Sequence, residues 1–280
     1  MTRVRIEDWL LQFESEGIPL ALTALRHVRY WDRAAIVDAF SVALSGWGSD
    51  LLKEQWVPLG GPTTSSHHLT YLWPDLKKQA QVPAHILGGA EKLQSGKVIV
   101  FYDDNIGSAG QSKTVLQQWF GLPRERWFVN EQHVERLESI QLQILKKATL
   151  KFVFVTGRRQ GLESLLSAAK EICGHTRVEG HIVVPDDLSC FQPAAGVFAD
   201  SVIAAKAREA FKRAGMRALA DKRDGWIQGK FDDRLLGYGN IGGLNVFYYN
   251  VPTATVTALW KSCNVVGSEW LALFPRRPRD

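Results

Sequence analysis

Val98-Ile99-Val100-Phe101-Tyr102-Asp103-Asp104-Asn105-Ile106-Gly107-Ser108-Ala109-Gly110-Gln111-Ser112 decides how this chain is read. The unbroken apolar and aromatic run from Val98 to Tyr102 is the pattern of a strand buried on both faces. Two carboxylates follow it. A turn of small residues then leads into Val115, Leu116, Trp119 and Phe120, whose spacing is helical. Ligands of parallel α/β sheets bind just beyond the carboxyl ends of the strands. A small-residue turn at a helix start offers free backbone N–H groups and hydroxyls, which suit a phosphate. Ionised aspartates only accept hydrogen bonds, so Asp103 and Asp104 suit sugar hydroxyls or the water shell of a metal. Together these features describe a sugar phosphate. A strand end followed by an ordinary Asp-Asn turn and a helix cap would use the same residues with no ligand at all.

Working outward, the first 45 residues read as helices, within a cover over residues 1–50. Ile6, Trp9, Leu10 and Phe13 recur at helical spacing, and Asp32 can cap a segment carrying Ala35, Ile36, Ala39, Phe40 and Val42. This is expected to be a helical cover, joined through Gly46-Trp47-Gly48 to a domain over residues 51–280. From Gln55 onward strands and helices alternate. Trp56 to Leu59, Ala84 to Leu87, Val98 to Tyr102, Phe152 to Val155 and Ile182 to Val184 are expected strands, with Leu244 to Tyr249 as the last. Helices are expected near Tyr71-Leu72, over Val115 to Phe120, from Val134 to Leu145 and near Val202 to Ala220. Strands separated by helices imply an α/β fold with a mainly parallel sheet and helices on both faces.

Composition narrows the class. The 280 residues are 45% hydrophobic, enough for one large α/β domain or a core with an appendage. No apolar run approaches the roughly 20 residues that cross a bilayer. Met1 to Asp8 enters an amphipathic pattern directly, so no signal peptide is expected. Cys173, Cys190 and Cys263 are odd in number and scattered, as reduced cytoplasmic thiols are. The net charge of +5 is modest and partly lies in the tail Pro275-Arg276-Arg277-Pro278-Arg279, so nucleic acid is only weakly indicated as a partner. Anionic small molecules suit this surface as well. His67, His68, Cys173, His175 and His181 have no metal-ligand spacing, and Gly-x-Ser-x-Gly, Walker and zincin motifs are absent.

Two further loops carry polar chemistry. After the first expected strand come Gly60-Gly61-Pro62-Thr63-Thr64-Ser65-Ser66, where the glycines allow close backbone approach and the hydroxyls of Thr63, Thr64, Ser65 and Ser66 can donate to phosphate oxygens. A flexible surface turn is the plain alternative. After the fourth strand, Arg158 and Arg159 could meet a phosphate or carboxylate, or simply open a surface helix.

The Asp-Asp segment resembles the 5-phosphoribosyl-1-pyrophosphate (PRPP) loop of type I phosphoribosyltransferases. The resemblance implies that Asp103 and Asp104 hold the ribose hydroxyls, with Asn105, Gly107, Ser108, Ala109, Gly110, Gln111 and Ser112 forming the 5′-phosphate cradle. This loop has one residue more than the usual one, so either Ser108 or Ser112 stands where the family has its threonine. The loop from Gly60 to Ser66 occupies the place of the pyrophosphate loop but lacks a basic residue. The interval from Gly89 to Lys97, with Lys92 its mid-loop cation, occupies the place of the mobile flap and is short. The C-terminal block from Leu235 to Thr253, followed by Trp260 and by Trp270 through Arg277, is similar to the phosphoribosyltransferase-like family of bacterial conflict (antiphage defence) systems. Over Gln55 to Arg277 that resemblance implies a defence effector, an operon-encoded partner protein and a ligand-side role for Asn250.

Three functions are therefore expected to compete. The first is phosphoribosyl transfer from PRPP, with Mg²⁺ carried on the pyrophosphate and not ligated by protein. The second is a haloacid-dehalogenase-like phosphatase, which wants Asp-x-Asp, whereas Asn105 stands where the second Asp would be. The third is a non-catalytic sensor of a nucleotide or sugar phosphate, or a partner-docking module.

Overall fold

Two long apolar runs, around Val98–Ile106 and Thr149–Gly157, can be satisfied only where both faces of a strand are covered. The computed structural model describes residues 3–46, 54–61, 64–80, 85–123, 135–175, 177–187, 189–193 and 195–276. In chain order its elements are α1 (Arg3–Leu10), α2 (Gly17–Arg26), β1 (Arg29–Trp31), α3 (Arg33–Gly46), β2 (Gln55–Pro58), α4 (Ser65–Thr70), α5 (Trp73–Ala80) and β3 (His85–Ile86). They continue as β4 (Val98–Ile106), α6 (Gly110–Trp119), α7 (Ser139–Lys147), β5 (Thr149–Gly157), α8 (Arg159–Cys173) and β6 (Val178–Pro185). The last are α9 (Ser201–Ala218), α10 (Gln228–Asp232), β7 (Asn245–Phe247) and α11 (Thr257–Trp260). The chain divides into two units, one of residues 33–187 and one of residues 1–32 with 188–280.

The first unit is a five-stranded sheet in the order β3-β2-β4-β5-β6, every pair parallel. β4 is therefore the central strand. Its register with β5 runs from Val98 opposite Thr149 to Ile106 opposite Gly157. From β2 the chain passes through α4 and α5 to β3 on one side of the sheet. From β4 it passes to β5 and β6 on the other side, through α6, α7 and α8. Parallel crossovers are right-handed, so opposite directions of travel put α4 and α5 on one face and α6 and α8 on the other. On the α6–α8 face, Phe101 packs against Trp119 and Phe152, with ring centroids 5.2 and 5.3 Å apart. On the other face Trp56, Trp73 and Tyr102 form a second aromatic group. Such pairs add about 0.5–1.5 kcal/mol each beyond their area burial.

The second unit joins both ends of the chain. Trp9 and Phe13 of the N-terminal segment pack with Phe211 and Trp270. The Trp9 and Trp270 indoles both donate to the Ala258 carbonyl, at 3.0 and 2.9 Å. Asp200 caps α9 by accepting from the Val202 and Ile203 amides. Gly215 lets α9 meet the chain at Leu235, whose carbonyl an added Cβ would approach to 2.1 Å.

Two differences from the sequence reading follow. The strand expected at Leu244 to Tyr249 is shorter and is not in the five-stranded sheet. It is β7, and it pairs in parallel with β1 in the second unit, from Arg29 opposite Asn245 to Trp31 opposite Phe247. The first 50 residues also do not form one separate cover. Residues 1–32 group with 188–280, while α3 groups with the five-stranded sheet. Helical periodicity identifies a face to be buried and says nothing of its partner. Val134, which the sequence placed in a helix, and Trp47-Gly48 lie outside the described residues.

Phe152 is fully buried between two parallel neighbours in this sheet. Phe152→Ala should lower stability by about 3–5 kcal/mol, read as a shifted urea midpoint.

Candidate functional site

β2 and β4 are paired neighbours whose chains leave in opposite directions, and this is where an open parallel sheet has its natural crevice. Pro58 lies opposite Tyr102, and the Leu59 amide donates to the Tyr102 carbonyl at 2.9 Å. The loop after β2 thus begins beside the acidic pair. Gly60 has φ +148°, and an added Cβ would sit 2.7 Å from Thr64 Oγ1, so both conformation and space demand glycine. The loop closes on itself where the Thr64 amide and hydroxyl both donate to the Gly61 carbonyl, at 3.0 and 2.7 Å. Thr64 Oγ1 also lies 2.7 Å from Ser66 Oγ. Ser65, which opens α4, points its hydroxyl elsewhere and donates to Asp103 Oδ1 at 2.9 Å. Thr63 lies outside the described residues.

β4 is longer than its apolar run and carries the ladder through Asp103, Asp104 and Asn105 to Ile106. Asp103 and Asp104 are only 3% and 4% exposed, so two adjacent carboxyls sit almost entirely out of water. Asp103 Oδ1 accepts from the Asp104 amide at 2.8 Å as well as from Ser65. Burial, and next the charge of Asp104, hold the Asp103 carboxyl well above the ordinary carboxylate range, and the two donated hydrogen bonds only partly offset this. Next door, burial pushes the Tyr102 hydroxyl up to about 12, and that hydroxyl lies 3.0 Å from Thr70 Oγ1.

Beyond Ile106 the chain turns sharply. Gly107 is half-buried, Ser108 is exposed, and Ala109 takes the left-handed conformation at φ +65°. That conformation costs an alanine roughly 1–2 kcal/mol. The Ala109 methyl is buried in the core with Val115 and Leu116, which offsets the cost. Its carbonyl accepts from the Lys113 amide at 2.9 Å and so closes the first turn of α6. Of the two candidates for the family's threonine, Ser112 is buried in that turn and Ser108 stands at the loop's exposed tip. Gln111 is exposed beside Gly110.

Two glycines to which the sequence assigned no role, Gly157 and Gly161, brace this turn from β5 and α8. Gly157 has φ +145°, and a Cβ there would lie 2.3 Å from the Ile106 carbonyl. A Cβ on Gly161 would lie 2.0 Å from the Gly107 carbonyl. The Arg158 amide also donates to the Ile106 carbonyl, at 2.8 Å. The signal was present as Gly157-Arg158-Arg159-Gln160-Gly161, a glycine at a strand end and another one helical turn on.

The side chains of Arg158 and Arg159 have partners of their own. The Arg158 guanidinium donates to the Asp187 carbonyl at 2.9 Å, and Arg159 pairs with the Asp187 carboxylate at 2.8 Å. Asn250 follows β7, which pairs with β1 and is not a strand of the five-stranded sheet. It closes a turn after β7 in the other unit, its carbonyl accepting from the Phe247 amide at 2.8 Å. The interval expected as a flap is packed down, with Ala90 and Leu93 in the same core as Leu145 of α7. Gln141 of α7 donates to the Glu91 carbonyl at 3.3 Å. Nearby, burial above all lowers the His67 imidazole from its ordinary value. Among the described residues no group of three or more His, Cys, Asp or Glu could hold a metal ion, and no helix is long and apolar enough to cross a membrane.

Two outcomes test this geometry. Gly161→Ala should destabilise by about 1–3 kcal/mol and speed amide exchange across residues 107–110. Gly229→Ala, where an added methyl meets nothing within 4 Å, should do neither. The second outcome concerns Asp103. Its folded pKa is raised above the ordinary 3.8, so the folded chain holds the proton more tightly than the unfolded one does. Stability therefore falls as pH climbs from that ordinary value through the folded pKa, and stays lower above it. Asp103→Asn should raise the melting temperature by a few degrees at neutral pH, and the gain should vanish in acid.

The PRTase-CE family model matches residues 6–276, nearly the whole chain and both units. No match was found among curated proteins or among solved structures. An α/β fold with a parallel sheet flanked by helices, an acidic pair on its central strand and a family match of this extent agree, and the chain belongs to the phosphoribosyltransferase-like PRTase-CE family.

Proposed function

We propose that the chain binds PRPP at the junction of β2 and β4 and transfers its phosphoribosyl group to an acceptor, as a cytoplasmic effector of antiphage defence. One observation carries this reading. A glycine-hydroxyl loop and an acidic pair leave adjacent strand ends where the sheet's direction of travel reverses, and Ser65 and Asp103 join them. In this reading Asp104, and Asp103 once ionised, accept the ribose 2′- and 3′-hydroxyls. Gly107, Ser108, Ala109 and Gly110 line the 5′-phosphate, and the loop of residues 60–66 faces the pyrophosphate. The C1–O bond to pyrophosphate breaks and its electron pair leaves with pyrophosphate. A new bond forms from the acceptor's lone pair to C1, and the acceptor's proton goes to solvent. The two carboxylates place negative charge beside the cation that develops at C1.

Mg²⁺ would neutralise charge on the leaving pyrophosphate. In this reading Asp103 and Asp104 are kept for the ribose hydroxyls, and Mg²⁺ would be carried on the pyrophosphate and not ligated by protein.

The packed interval at Ala90 and Leu93 favours a second reading. A phosphoribosyltransferase flap has to move over the reacting centre, and these side chains anchor the segment in the core. The same site would then sense a nucleotide or sugar phosphate, or dock an operon-encoded partner, without turnover.

PRPP consumption decides between them. The purified chain should consume PRPP with Mg²⁺ in the presence of a suitable nucleobase, nucleotide or tRNA acceptor. Asp104→Asn should weaken ribose-5-phosphate binding about ten- to a hundredfold and lower turnover further, since charge matters most as the cation forms. PRPP that stays intact with every acceptor, both alone and with the operon-encoded neighbours present, with binding retained, identifies the sensor.

A further inference from the structure

We infer that Ser65 is a latch between the two halves of the proposed site, released when a ribose hydroxyl takes its place on Asp103. The inference rests on the phosphoribosyl reading and deepens it, because it names the residue that would couple ribose capture to the pyrophosphate loop. Three observations carry it. Ser65 Oγ donates to Asp103 Oδ1 at 2.9 Å, and the same oxygen accepts from the Asp104 amide at 2.8 Å. That oxygen has both lone pairs engaged before any ligand arrives, so a ribose hydroxyl that binds at Oδ1, the oxygen facing the loop, displaces a donor. The Asp104 amide is fixed by the β4 backbone, whereas a serine hydroxyl turns about one bond. The donor that yields is therefore Ser65.

The neighbouring hydroxyls cannot play this part. Thr64 Oγ1 is committed to the Gly61 carbonyl and to Ser66 Oγ, both inside the loop. Gly60, fixed at φ +148°, packs against the Thr64 side chain and leaves that hydroxyl where it is. Ser65 alone among the described loop hydroxyls ties the loop to β4. Once displaced, its hydroxyl becomes a free donor at the start of α4, beside the loop that would face pyrophosphate. With ribose alone Asp103 exchanges one donor for another and the Ser65 hydroxyl loses its acceptor, whereas ribose with pyrophosphate gives the freed hydroxyl a new acceptor. The latch therefore discriminates. It weakens ribose-5-phosphate and spares PRPP.

Calorimetry with ribose-5-phosphate and with PRPP, on wild type, Ser65→Ala and Ser65→Thr, tests this. Ser65→Ala should bind ribose-5-phosphate about fivefold tighter, with no gain for PRPP, so the preference for PRPP narrows by about that factor or more. Ser65→Thr keeps the hydroxyl and should restore the wild-type preference, which a merely structural role would not require. Amide exchange over residues 64–66 should quicken in unliganded Ser65→Ala. A wild type that binds both ligands, with a preference unchanged in Ser65→Ala or with both affinities lowered equally, overturns the latch and leaves the phosphoribosyl reading standing. A folded wild type that binds neither ligand overturns both.

Discussion

Parallel pairing of β2 with β4 spans only four residues, from Gln55 opposite Ile99 to Pro58 opposite Tyr102, yet it sets two strand ends side by side while their chains depart in opposite directions. Helices cannot cover both departures on one face, so the crevice between them is left to loops. Gly60 opens one loop and Gly107 the other, and the acidic pair stands where they meet. Register then does the rest. With Pro58 fixed opposite Tyr102, Asp103 is the first β4 residue beyond the end of β2, and Ser65 comes back to meet it.

The same geometry makes the site expensive. Asp103 is taken almost wholly out of water, next to a second carboxyl, and receives two hydrogen bonds in partial return. Ala109 stands in a conformation that alanine disfavours. Gly157 and Gly161 leave no room for a side chain because the backbone of β5 and α8 runs against the turn. Strain and displaced ionisation cluster at sites that hold ligands. The cluster of such features at one strand end supports the proposed site independently of any family resemblance.

Legibility followed the physics of each signal. β4 and β5 were plain in the sequence, because a strand buried on both faces must be apolar at consecutive positions. That β4 runs on through Asp103, Asp104 and Asn105 was not, since ladder hydrogen bonds come from the backbone and leave no mark on side-chain type. β1, with Arg29 and Tyr30 exposed and only Trp31 buried, gave no strand pattern, and its pairing with β7 joins residues more than two hundred positions apart. The Asp-Asp segment and the glycine loop were legible as residues. Their union through Ser65 was not, because a hydrogen bond between side chains 38 positions apart has no local pattern.

The packed interval after β3 bears on what chemistry this site can sustain. Ala90 and Leu93 are buried in the core that includes Leu145, and Gln141 binds the backbone at Glu91, so lifting the segment would expose apolar area and break hydrogen bonds. An oxocarbenium-like centre open to solvent is captured by water, and the outcome is hydrolysis of PRPP in place of transfer. A transferase built on this sheet must therefore exclude water by other means than this segment, and the acceptor itself or a bound partner is the natural source. A sensor has no such requirement, since it needs the ribose and phosphate contacts and nothing that closes over them. The brevity of one loop thus links the question of catalysis to the question of what else binds, and a transferase that needs its acceptor or partner in place would leave PRPP untouched in their absence.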